Sequence, residues 1–153
     1  MIRTRLVLLT TACGLLMWRC NTNSAEHHHD NATTHEVHHH HEGALEIELD
    51  NGKKWKVNEE MTPFILGGKE LVDTYVANKG TDYKKLANDL QAQNKQLISS
   101  CTMDGKSHDE LHKWLHPHLD YVKNLSNATD SDEANHIIEH LQHSYEEYKL
   151  YFE

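Results

Sequence analysis

Between Met61 and Phe152 one pattern repeats four times: apolar residues three and four positions apart, the spacing that gathers them on one side of an α-helix. The first run is Met61, Phe64, Ile65, Gly68, Leu71, Val72 and Tyr75. Thr62 is a candidate cap with Pro63 at the first helical position, and Asn58 is another one turn earlier. The second run starts near Thr81 and passes through Tyr83, Leu86, Leu90, Leu97 and Cys101. In the third, Ser107 and Glu110 have capping-box spacing ahead of Leu111, Leu115, Leu119 and Val122. The fourth follows NATDSDE and runs Ala134, Ile137, Ile138, Leu141, Tyr145, Tyr148 and Phe152. Helices of about twenty residues, each about 30 Å long, joined by short loops, predict an up-down-up-down four-helix bundle over residues 58–153. About 100 residues are enough to enclose one core.

Residues 44–57 carry a different period. Leu45, Ile47 and Leu49 alternate with polar residues, Asn51-Gly52 is a strong two-residue turn signal, and Trp55 and Val57 continue the alternation. A short β-hairpin is expected, packed on the helices because two strands alone are marginal.

The first twenty residues, MIRTRLVLLTTACGLLMWRC, place Arg3 and Arg5 before an apolar stretch too short for a settled bilayer span. Residues 1–19 are therefore expected to be an export signal of the lipoprotein type. It ends at Cys20, the expected lipidation site, with Cys13 as a competing position. Residues 20–43 form a polar tether expected to be disordered without metal. It holds His27, His28, His29, His35, His38, His39, His40 and His41, interleaved with Asp30, Glu36 and Glu42. The unequal grouping is unlike an affinity tag. Neutral imidazole is a favoured ligand of borderline divalent metals, so the tether is a candidate metal collector.

Beyond Cys20 stand 12 lysines, no arginine and all 24 acidic residues, a balance of −12. That excludes nucleic acid and phosphate as expected partners and favours cations. Export also leaves Cys101 as the one unmodified thiol, in a compartment that oxidises thiols unless they are buried or ligated.

Bundle order brings the start of the first helix, the end of the second, the start of the third and the end of the fourth to one end. Met61, Cys101, Met103, His108 and His112 are all expected there. At 100° per residue, His108 lies within about 20° of Leu115 and His112 about 60° from it. Thiolate and thioether together favour Cu(I) over zinc, and two histidines four apart can hold one ion from one helix face. His116, about 100° off the core direction, and His118, on the core side, are expected to serve surface and packing. HDELH has the outer spacing of a zinc-protease helix, but Asp109 stands where the glutamate base belongs. No nucleophile–base arrangement is legible, and the chain is not expected to be an enzyme.

Two stretches, GKKWKVNEEM (52–61) and CTMDGKSHDELHKWL (101–115), resemble small His-rich exported proteins and lipoproteins of Gram-negative bacteria met near heavy-metal efflux genes. The resemblance implies an envelope protein with a helical domain and a metal role, and a metal efflux system as a partner. The expected function is thus a lipid-anchored envelope protein that buffers, senses or delivers copper or zinc, facing the periplasm or lying on the outer-membrane surface. Two alternatives stand beside it. One is a b-type haem bundle using Met61 with His108 or His140; covalent haem is excluded because no C-x-x-C-H occurs. The other is a structural, partner-binding lipoprotein whose histidines are incidental.

Overall fold

The computed structural model describes residues 46–153. The expected signal, Cys20, the tether histidines and the first residues of the expected hairpin lie outside the described residues. Four helices follow in order: α1 (Thr62–Ala77), α2 (Tyr83–Ser99), α3 (Gly105–Asn127) and α4 (Ser131–Tyr151). A 3-10 turn, Glu59–Met61, leads into α1.

Local chemistry sets the boundaries. Met61, rather than Thr62 or Asn58, takes the cap position of α1, with no side-chain bond, and Pro63 stands in the first turn, where its missing N–H costs nothing. Asp82 caps α2 by accepting from the Lys85 amide at 2.9 Å. Asp130 caps α4 by accepting from the Asp132 and Glu133 amides at 3.0 and 2.9 Å. Glu133 reaches back to accept from the Thr129 amide at 2.8 Å, satisfying one more amide at the entry to the helix.

The helices alternate in direction. Asn58, just before α1, donates to the Ser100 carbonyl just after α2 at 2.8 Å. Lys84, at the start of α2, donates to the Ser126 and Ala128 carbonyls at the end of α3 at 2.9 and 2.6 Å. Trp114 and His118 of α3 meet Ser144 of α4. The Trp55 amide, ahead of α1, donates to the Tyr151 carbonyl at the end of α4 at 2.8 Å. The result is a mainly helical four-helix bundle whose first helix closes on its fourth. Its interior holds Val72, Leu90, Leu97, Leu111, Leu125 and Leu141, with Trp114, His118 and Tyr145 at mid-height. Among the described residues no helix is long and apolar enough to cross a membrane.

The hairpin expectation needs correction. Asn51 and Gly52 take φ of 51° and 81°, as a two-residue hairpin turn requires. Asp50 and Lys53 exchange backbone bonds of 2.9 and 3.0 Å across it. Pairing stops there, and among the described residues there are isolated bridges but no strands. The return segment pairs with the C-terminus instead: Glu153 N donates to Trp55 O at 2.9 Å and Val57 N to Glu153 O at 3.0 Å. The leading segment lies on α3, with Ile47 buried and Leu49 exposed, so the expected apolar face is not kept. A two-stranded ribbon gains little by pairing with itself when a chain terminus and a helix offer better partners.

The capping box on α3 is also absent. The helix starts three residues earlier than that box requires, at Gly105, after Asp104. Ser107 Oγ donates to the Asp104 carbonyl at 3.2 Å, and Glu110 accepts instead from the Glu48 amide at 2.8 Å. Glu110 is claimed by the segment that packs on α3.

Gly68 of α1 lets α4 approach, because the Tyr145 hydroxyl occupies the space a β-carbon would need. Gly67 faces the flexible end of Gln93. Gly68→Ala should therefore destabilise by about 1–3 kcal/mol despite its better helix propensity. Gly67→Ala should be neutral or stabilising by up to about 1 kcal/mol. Urea unfolding of the two variants checks the pair.

His118 is fully enclosed, and burial drives its imidazole down to about 4. An unfolded chain takes up that proton near pH 6.5. Below 6.5 the unfolded state therefore binds more protons than the folded one, and stability falls with pH until about 4. The full effect is on the order of 3 kcal/mol. Chelator-treated protein should lose less stability between pH 7 and pH 4.5 when it carries His118→Phe, as measured by denaturant titration.

Candidate metal-binding end

One end of the bundle is built from residues 100–104 between α2 and α3, the turn before α1, and the first turns of α3. Asn58 holds it together. Its amide donates to the Ser100 carbonyl at 2.8 Å and accepts from the Thr102 N–H at 3.2 Å, spanning Cys101 on both sides. Cys101 falls two residues beyond α2 rather than inside it. Its thiol is free and half-buried, and it packs against the core with half-buried Met103. Met61 is wholly enclosed in that core.

A second device stiffens the entry to α3. The Glu110 carboxylate is buried, accepts from the Glu48 amide, and is paired with Lys113 Nζ at 2.9 Å. Burial alone would raise its affinity for a proton, but the Glu48 amide and the Lys113 and Lys106 cations outweigh it and hold the carboxyl below its usual range. Lys113 also donates to the Glu46 carbonyl at 2.9 Å, so one ion pair ties residues 46–48 to α3.

The histidines of α3 separate into two groups. His118 faces inward, shares a hydrogen bond of 3.1 Å with Ser144 Oγ, and stacks on Trp114 at 4.8 Å between ring centroids. This is the packing role expected for it. His108 and His112 lie on an outer flank with ring centroids 4.3 Å apart. His116 joins them, its ring 5.0 Å from that of His112. Partial burial, then the neighbouring His108 and His116, lower the proton affinity of His112, against a smaller opposing pull from Asp109. His116 was set aside in sequence because it points away from the core. The signal that finds it is the four-residue spacing 108–112–116, since side chains four apart line up on any face of a helix, inward or outward.

Among the described residues no three His, Cys, Asp or Glu side chains are grouped so as to hold one ion. What the fold brings together are imidazole pairs, with Cys101 and Met103 nearby in sequence on the adjoining loop. His140, one of the expected haem ligands, is half-buried on α4 and stacks on Tyr121 at 5.2 Å. His27, His28, His29, His35, His38, His39, His40 and His41 lie outside the described residues.

Removing the Asn58 clamp should free the loop. Asn58→Ala is expected to cost about 1 kcal/mol, by removing two hydrogen bonds whose partners are exposed or part-buried and so regain water. It should also speed the reaction of Cys101 with a thiol reagent under native conditions, which a colorimetric assay follows. Comparison with family models, with curated proteins and with solved structures finds no match for this chain.

Proposed function

We propose that this chain is an envelope metal-binding lipoprotein, anchored through Cys20, that buffers, senses or delivers copper or zinc. The observation that carries the reading is the contact between His108 and His112 at the bundle end, 4.3 Å between ring centroids, in the first turns after half-buried Cys101 and Met103. Support also comes from the −12 balance beyond Cys20 and from the eight histidines between His27 and His41. In this reading the tether gathers ions and the bundle end holds one more selectively. Cys101, Met103 and Met61 are its candidate soft donors and His108 and His112 its borderline ones, side chains that form no three-donor group before an ion binds. A metal efflux system is the proposed recipient. A haem reading receives no comparable support: Met61 is enclosed in the core, His108 lies on an outer flank and His140 stacks on Tyr121.

Competition titration of the full chain with a Cu(I) chelator tests the reading. Cys101→Ala is expected to weaken the tightest Cu(I) site at least tenfold, and an unchanged affinity would restrict Cu(I) binding to the tether.

A further inference from the structure

We propose that His112 is the shared donor of two overlapping bis-imidazole seats, His108–His112 and His112–His116, between which one borderline divalent cation steps along α3. The inference rests on the metal-binding reading above and adds a residue, a stoichiometry and a route to it.

The geometry is simple. Residues four apart on an α-helix are separated by about 6 Å along the axis and drift by about 40° around it. Three histidines at that interval make a row, here with successive ring centroids at 4.3 and 5.0 Å. Each neighbouring pair is close enough for two ring nitrogens to bind the same ion. The outer two are not, since eight residues span about 12 Å. This agrees with the lack, among the described residues, of a three-donor group. Two seats therefore exist, and both need His112. Filling one empties the other, so the row holds one ion and not two.

Sharing also creates a path. An ion in the first seat can lose its bond to His108, take up water, and then exchange a water for His116. The bond to His112 persists throughout. One metal–nitrogen bond breaks and one forms, waters close the balance, and no electron is transferred. The direction is informative. His108 lies nearest in sequence to the loop carrying Cys101 and Met103, whereas His116 is exposed to solvent. The row thus leads from the bundle end to an open face. Its donors are imidazoles alone, which suits Zn(II), Cu(II) or Ni(II) rather than Cu(I).

The test uses Zn(II) alone and a full-length chain with serine in place of the eight histidines from His27 to His41. Calorimetry should give one ion on the row. His108→Ala or His116→Ala removes one of two seats and should weaken binding about twofold, whereas His112→Ala removes both and should weaken it at least tenfold. Imidazole NMR at one equivalent should show the His112 signals shifted fully and those of His108 and His116 shifted in part. If His116→Ala changes neither affinity nor the His112 signals, the shared seat is overturned and the metal-binding reading stands on His108 and His112. Equal tenfold losses in all three variants would overturn it in favour of a single three-ligand site. If Zn(II) moves none of the three, the row is overturned, and the Cu(I) titration of Cys101→Ala alone decides the bundle end.

Discussion

Helix α3 is held in register by Ser144. The Trp114 indole donates to the Ser144 carbonyl at 2.8 Å, and the His118 ring shares a hydrogen bond with the Ser144 hydroxyl at 3.1 Å. Both contacts are buried, where the alternative to pairing is an unsatisfied polar group costing about 1–3 kcal/mol. Slippage of α3 by one residue would break both and turn Trp114 out of the core. Because 114 and 118 are locked inward, the rotation of the whole helix is decided. His112 lies about 160° from Trp114 on the helical wheel, so an inward Trp114 requires an outward His112. The packing interaction on one face of α3 thereby sets the chemistry available on the other.

The loop end depends on a different kind of restraint. Residues 46–58 add no regular layer, yet they reach two places that short loops leave open. Asn58 bridges the backbone on either side of Cys101, and the Glu110–Lys113 pair captures the backbone of Glu46 and Glu48. Buried ion pairs are weak sources of net stability, but breaking one partner is costly. Glu110 is best understood as a specificity device that makes one docking of the leading segment preferable to others. Its sequence position suggested a cap, and its burial shows why the cap is missing.

The four helices were legible because each repeats its apolar residues with a helical period, and that signal depends on no distant partner. The Asn51-Gly52 turn was legible for the same reason, since its backbone angles are a local demand. What could not be read was partnership. Nothing in Trp55 or Val57 reveals that their amides will meet Tyr151 and Glu153, nearly one hundred residues on. Nothing in Ser107 shows that its capping partner will be taken by Glu48. The histidines illustrate a subtler limit. Angle from the core correctly sorted His118 from its neighbours, but it does not find side chains that line up on an outer flank. His116 drops out when inwardness is asked for and returns when spacing is.

Placing candidate ligands on an outer flank has a thermodynamic consequence. A structural metal site contributes its binding free energy to folding and is hard to unload without unfolding the protein. The core of this bundle is closed by Leu, Val, Trp and Tyr side chains, with His108, His112 and His116 outside it. In the proposed reading the fold does not depend on the ion, and the ion can leave without disturbing the fold. Two imidazoles and water make a seat of moderate strength, open to exchange. Such a seat suits collection and transfer better than storage. An acidic chain strengthens that role by attracting cations to the surface that carries the imidazoles.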